Sequence, residues 1–326
     1  MLKSTIHSYL THNEERFNGA VLVSEKGTIV YEEAFGLANR ECSIPNTTAT
    51  KFRIGSVTKS ITALGVLMLA DEGHLQLDDS LDKYIPAFKP FRGVTLTHLL
   101  NHTSGIGNIT MQPDFAVKSL QKRSPDELVE WILSLPAESR PGESFSYSNS
   151  GYILLGKIIE IVGGWPYAEF LNTRIFGPAG MSHSILDSGA NLLNKAIGYE
   201  ITPEGEAQIA SFIDMSNAYS AGGIVSTVGD LYLLNRALDE GKLISDNMLA
   251  RLFTQDGHQP YRYGWNTATT GAGSAMAFHH GGINGYTASY IKLPDQETAV
   301  IVLSNVSTLL TSTLAGVIVN AVERRD

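Results

Sequence analysis

The sequence predicts an α+β fold: one antiparallel sheet built from both chain ends, covered by the terminal helices, with a large all-α region inserted. Three observations lead there. Runs rich in β-branched and aromatic residues gather near the two ends. Between about residues 56 and 240 the apolar spacing turns helical and is punctuated by Pro and Gly. The chain then closes on an apolar helix, "TLLTSTLAGVIVNAVERR". A length of 326 residues allows one large domain or two. With no linker, repeat or low-complexity tract, the reading is a single domain over 1–326, its sheet region about 1–55 and 256–326 and its helical region about 60–250.

Taken in order, "MLKSTIHSYLTHNEERF" is a polar, amphipathic start without the continuous apolar segment of a secretory signal. "GAVLVSEKGTIVYEEAFG" reads as two strands around a turn at Lys26-Gly27. Helices are expected over 56–72, 95–102, 125–134, 148–162, 166–175 and 228–240, separated by breaks such as "RPGESF" and "FGPAG". Strands return from Tyr261 in "YRYGWN", "AMAFHHGG", "YTASYIKLP" and "ETAVIVLSN". The closing helix is expected to carry its arginines in the last turn, where the helix dipole favours them.

Composition narrows the function classes. A chain that is 43% hydrophobic and 17% charged can bury a sizeable core. Its net charge of −9 opposes nucleic-acid binding, which needs clustered Lys and Arg, and the short "QKRS" at 121–124 reads as a solvated helix approach. Cys42 is the single cysteine, so neither an intrachain disulfide nor a cysteine metal site is available. No run approaches the roughly 18 apolar residues of a membrane span. As written the chain reads as cytoplasmic, with an extracytoplasmic location if a signal has been removed.

Several motifs fail on inspection. His98 and His102 have a zinc-like spacing, but Leu99 replaces the glutamate of H-E-x-x-H and no third ligand is evident. "SGIGN" at 104–108 lacks the third glycine of a dinucleotide loop, and the serine elbow G-x-S-x-G is absent. Neither a metal nor an organic cofactor is expected. Trp131, Trp165 and Trp265 read as packing residues, with a cleft-lining place the alternative for Trp265, and Gly222-Gly223 as a tight backbone, with a pocket floor the weaker alternative.

Three short stretches carry chemistry. In "FRIGSVTKSIT", Ser56 and Lys59 stand three apart at a helix start, so both side chains share one face. They are either a cap and a first-turn surface residue, or a nucleophile and its base. A serine needs something to take its proton, and a lysine does so only when burial or nearby positive charge favours its neutral form. In "ESFSYSNSGY", Tyr147 and Asn149 precede an amphipathic helix; a phenol there can share a proton and an amide can orient Lys59 and a substrate carbonyl. Alternatively Tyr147 is core and a serine caps the helix. In "FHHGGINGY", glycines interrupt a strand, which marks either a turn or close backbone approach by a ligand.

In this order the motifs resemble the serine β-lactamase and penicillin-binding protein family. The likeness is closest to the branch holding class C β-lactamases, D-alanyl-D-alanine carboxypeptidases and related esterases. "FRIGSVTKSITALGVLMLADEGHLQLDDSLDKYIP", "LTHLLNHTSGI", "YSNSGYILLGKIIE", "SAGGIVSTVGDL" and "HHGGINGY" carry it, over nearly the whole chain.

The resemblance implies a β-lactamase/transpeptidase-like fold and an acyl-enzyme on Ser56. Lys59 would accept the proton, and Tyr147 would protonate the leaving group and then activate water. Asn149 would bind the acyl side chain, His279 and Gly281 would help hold substrate, and the N–H groups of Ser56 and Gly282 would form the oxyanion hole. His279 stands where β-lactamases carry lysine. An imidazole only partly charged near neutral pH weakens the case for efficient β-lactam hydrolysis. His280 is larger than the residue usual beside it, which affects the expected pocket size.

The expected activity is therefore an esterase or a D-amino-acid-specific amide/ester hydrolase acting on a small ester, amide or short D-amino-acid peptide. A penicillin-binding DD-peptidase or weak β-lactamase is the enzymatic alternative, and an acylatable sensor with little turnover the non-enzymatic one.

Overall fold

The computed structural model describes residues 2–11, 17–253 and 261–324. Its main sheet contains β1 (Gly19–Glu25), β2 (Thr28–Phe35), β3 (Tyr261–Arg262), β4 (Trp265–Thr269), β5 (Ala275–Ile283), β6 (Tyr286–Leu293) and β7 (Thr298–Ser304). The order is β3-β4-β5-β6-β7-β1-β2, antiparallel throughout. β1 pairs with β7, from Gly19 opposite Ser304 to Ser24 opposite Ala299, and so joins the two chain ends. The turn between β1 and β2 places Lys26 at φ 50° and Gly27 at φ 70°, the two left-handed residues that let a two-residue hairpin follow strand twist.

β1 is buried from Gly19 to Ser24 because both faces of the sheet are covered. Ala20 and Leu22 enter the main core, whereas Val21 and Val23 face the terminal helices. Those helices, Leu2–Thr11 and Leu310–Glu323, present Leu2, Ile6 and Leu10, and Leu314, Ile318 and Val322, each set four apart along one stripe. Each such buried side chain contributes about 1.5–3 kcal/mol. The arginines are not in the last turn as expected. That helix stops at Glu323, Arg324 follows it, and Arg325 lies outside the described residues.

The insertion is mainly helical, with Thr58–Asp71, Leu96–Leu100, Pro125–Leu133, Asn149–Gly163 and Val228–Asp239 where the spacing predicts them. The helix expected over 166–175 begins at Tyr167–Phe170 and widens into a π-turn over Leu171–Phe176. The insertion also carries small β pieces: Phe52–Arg53, Ile224–Ser226 and Ile185–Leu186 form one sheet, and Tyr199–Ile201 pairs with Ala207–Ile209. Strands of two or three residues are too short to show alternation. Trp131 and Trp265 pack in the core, but Trp165 is exposed.

One helix organises the insertion. In Thr58–Asp71, every residue from Thr58 to Leu69 is buried. A helix that is apolar all round needs neighbours on every side, and the lysine on it goes into the interior with the rest.

Candidate active site

Ser56 sits in a 3₁₀ turn, Gly55–Val57, immediately before that buried helix. The turn is clamped from behind: the Ile54 N–H donates to the Ile224 carbonyl at 3.0 Å, and the Ile224 N–H to Thr58 Oγ1 at 3.2 Å. In front it meets β5. Gly55 is left-handed (φ 49°), and a Cβ there would stand 2.9 Å from the Gly282 backbone. A Cβ on Gly281 would stand 2.0 Å from the Ile54 carbonyl oxygen. The β4–β5 pairing ends at Asn266–Phe278; among the described residues no strand covers the edge of β5 beyond it, and the Ser56 turn packs there instead. The glycines let two backbones touch.

Lys59 is fully buried, one turn from Ser56. Its Nζ lies 3.1 Å from Ser56 Oγ, 2.7 Å from Asn149 Oδ1 and 2.8 Å from the Ala221 carbonyl. No carboxylate forms an ion pair with it among the described residues. Burial therefore pushes the amine well below the ordinary lysine range. Asn149 Oδ1 and the Ala221 carbonyl are acceptors only, so they take the two hydrogens of a neutral amine. With the amine neutral, its lone pair would be left for the Ser56 hydroxyl.

Tyr147 and Asn149 come from the loop and first residue of the Asn149–Gly163 helix. The Tyr147 ring lies 4.9 Å from Lys59 Nζ. Overall Tyr147 is 37% exposed, so it is not the core aromatic of the alternative reading. Its hydroxyl end is nevertheless enclosed, and burial raises the phenol to about 12, with the hydrogen bond to Ser56 acting in the opposite direction. It is a protonated phenol at neutral pH.

Two further residues fix this loop; the sequence offers Asn108 only as a loop residue at the cleft mouth and His102 only as a structural residue near a helix end. The buried side chain of Asn108 donates to the Tyr147 carbonyl at 3.3 Å and accepts from the Asn149 N–H at 3.3 Å. It also accepts from Thr110 Oγ1, and Thr110 Oγ1 in turn takes the Asn149 amide at 2.8 Å, which sets the way that amide points. His102, buried and left-handed at φ 57°, accepts from the N–H groups on either side of Tyr147. Ser146 donates to its carbonyl at 2.8 Å and Ser148 to its Nδ1 at 3.1 Å. Its ring centroid lies 4.3 Å from that of Tyr147. Because the Leu96–Leu100 helix has already ended, His102 does not share a helix face with His98, which instead completes a capping box with Thr95.

His279 is also buried. Its Nδ1–H donates to the His280 carbonyl at 2.7 Å, so Nε2 is the acceptor for the Tyr261 hydroxyl at 3.0 Å. Burial pushes His279 down to about 3, against the expectation of a partly charged imidazole. His280 does not narrow the pocket either. Its ring packs on Phe278 and its Nδ1 meets Ser289 Oγ at 3.0 Å, on the sheet face covered by the terminal helices.

A cavity of about 210 Å³ opens over Ser56, walled by Asn149, Ile213, Asn217, Gly222 and Gly282 among others. No charged side chain lines it among the described residues. Gly281 is not in its wall; that residue spaces β5 from the Ser56 turn. Gly222, read from the sequence as tight backbone, does line the cavity. Among the described residues, no group of three His, Cys, Asp or Glu is placed to hold a metal ion. The arrangement as a whole is a hydroxyl, an amine without countercharge, a neutral phenol and an oriented amide around a neutral hollow.

The beta-lactamase family model matches residues 6–316 of this sequence. The chain belongs to the beta-lactamase family. Members of that family are serine hydrolases. Among its relatives in the beta-lactamase family is penicillin-binding protein 4* of Bacillus subtilis (strain 168), 32% identical over 312 residues, which span 90% of this chain and 69% of the relative. The octameric penicillin-binding protein homologue from Pyrococcus abyssi superposes with a TM-score of 0.87 at 29% identity, covering 99% of this chain and 77% of the other. The D-amino acid amidase of Ochrobactrum anthropi shares the fold with a TM-score of 0.88 at 23% identity, over 100% and 99% of the two chains.

Proposed function

We propose that the protein is a serine hydrolase that forms an acyl-enzyme on Ser56 and acts on small esters or D-amino-acid amides. The observation that carries this is Lys59: buried, without a carboxylate, and with its Nζ 3.1 Å from Ser56 Oγ. Ser56 Oγ attacks the carbonyl carbon while its proton passes to Lys59 Nζ. The oxyanion that forms lies toward the N–H groups of Ser56 and Gly282. Collapse breaks the bond to the leaving alcohol or amine, which takes its proton from the Tyr147 hydroxyl, and Tyr147 is reprotonated from Lys59. Water then repeats the sequence in reverse, with the proton it loses returning to the same pair.

The uncharged cavity favours a substrate that is neutral around its scissile carbonyl. A peptide ending in a free carboxylate beside that carbonyl would have no cation to meet there. The amidase neighbour supports an amide of a D-amino acid, and the penicillin-binding relatives keep a DD-peptidase as the second reading. The test compares a short-chain p-nitrophenyl ester, a D-phenylalanine amide, a D-alanyl-D-alanine peptide and a chromogenic cephalosporin on wild type and Ser56→Ala. The proposal expects ester and D-amide turnover that Ser56→Ala abolishes. Turnover that survives the substitution refutes the nucleophile, and a stable β-lactam adduct on Ser56 with no ester turnover favours the second reading.

A further inference from the structure

We infer that the groove adjoining the Ser56 cavity binds an anionic group at the far end of the substrate's acyl portion. The inference deepens the reading of Ser56 as nucleophile and rests on it for the word acyl. The cavity over Ser56 shares Ile213 and Asn284 with a second hollow of about 390 Å³, so the two lie side by side. Their linings differ in kind. The first holds no charge, whereas the second is lined by Arg53 and Lys195.

Two cations there share one carboxylate. The side chain of Asp187 is wholly buried, and its Oδ2 lies 2.8 Å from Arg53 Nε and 3.4 Å from Lys195 Nζ. Its Oδ1 accepts the Gly189 N–H at 2.9 Å. One positive charge is left over, in a chain whose net charge is −9. Arg53 is held through Nε alone, and its guanidinium lies 5.6 Å from the centre of the Tyr286 ring. The two terminal nitrogens, the pair that grips a carboxylate in a fork, are not used by Asp187. Both cations are mostly enclosed, at 15% and 18% side-chain exposure, which weakens competition from water and salt.

The rim says what joins the two ends. Ile209 and Phe212 line the same groove yet are 58% and 67% exposed, an apolar surface suited to a hydrocarbon stem. Asn149, which the family likeness assigns to the acyl side, belongs to the wall from which the groove departs. The substrate class that fits has a neutral ester or amide carbonyl at Ser56, an apolar spacer, and a carboxylate or similar anion reaching Arg53 and Lys195.

The test is an ester pair of equal chain length. Wild type should hydrolyse p-nitrophenyl hydrogen suberate with a higher kcat/KM than p-nitrophenyl octanoate. Lys195→Met should erase about five- to tenfold of that preference through KM for the suberate, while Lys195→Arg retains it. Arg53 still neutralises Asp187 in these variants, so the fold keeps its buried pair. A second measurement needs no turnover: calorimetric titration of Ser56→Ala with monomethyl suberate and with dimethyl suberate. Tighter binding of the monoanion, lost in the added Lys195→Met variant, supports the groove. Equal affinity for the two, or a preference that Lys195→Met leaves intact, overturns it. Failure of wild type to turn over any ester would refute the hydrolase reading instead, with the titration still deciding the groove.

Discussion

Lys59 is useful because of what surrounds it and because of what does not. Removing an amine from water favours its neutral form, and an acidic neighbour would reverse that; here its acceptors are an amide and a backbone carbonyl. Tyr147 gains its position from its neighbours' backbone, through His102 and Asn108. His102 is therefore a positioning residue, acting through Ser148 and the Tyr147 ring. His102→Ala removes the acceptor of the buried Ser148 N–H, a loss of about 1–3 kcal/mol, and strains a left-handed position. His102→Asn keeps an acceptor atom at the same branch and tolerates that backbone conformation. Ester hydrolysis is expected to lose roughly tenfold in kcat with little change in KM for the alanine variant, and to recover most of it with asparagine. If both variants fall equally, the hydrogen bond is not what positions the loop. Ser56, Lys59, Tyr147 and Asn149 could be read from the sequence because they lie within two short motifs. His102, Asn108 and Ala221 could not, because their contribution is a hydrogen bond made to a partner some 40 to 160 residues away, with no local pattern to mark it.

The decisive contact between elements is β5 against the Ser56 turn, a backbone-to-backbone approach that tolerates no side chain. Gly281→Ala inserts a methyl 2.0 Å from the Ile54 carbonyl, and neither backbone is free to withdraw. Overpacking of this kind costs about 1–3 kcal/mol. The variant should lose that stability in urea unfolding and most of its acylation rate, whereas Gly316→Ala, inside the last helix where a Cβ meets nothing within 4 Å, should keep its activity and gain stability by about 1 kcal/mol. Equal activity of the two variants would contradict the role given to this approach. The long helices and five of the main sheet's strands were legible in the sequence because burial stamps a period on a long helix, or a β-branched run on seven to nine residues. The Phe52–Arg53, Ile185–Leu186 and Ile224–Ser226 strands were not legible. Two or three residues have no period, yet this small sheet is what anchors the chain entering Ser56.

Across the molecule, the same burial that activates the site makes it sensitive to acid. His279 titrates near 3 when folded against an ordinary 6.5, and His102 is pushed in the same direction by burial. Between those two pH values the unfolded chain binds a proton that the native His279 does not. Stability therefore falls as pH drops from 6.5 toward 3, by on the order of 5 kcal/mol from this residue. His279→Gln should flatten the acid limb of a Tm-against-pH curve; an unchanged slope would show that His279 does not stay neutral. The sheet itself should matter less there, since its two core clusters are apolar.

The central claim is that Lys59 is an uncharged amine in the resting protein. Its most direct test is an NMR titration of the lysine side-chain carbons in protein labelled at Cε, with Lys59→Arg identifying the signal. The account predicts one lysine resonance at the neutral-amine position at pH 7, moving only as the solution is acidified. A Lys59 signal that stays with the ammonium group until about pH 10, like an exposed lysine, would contradict it.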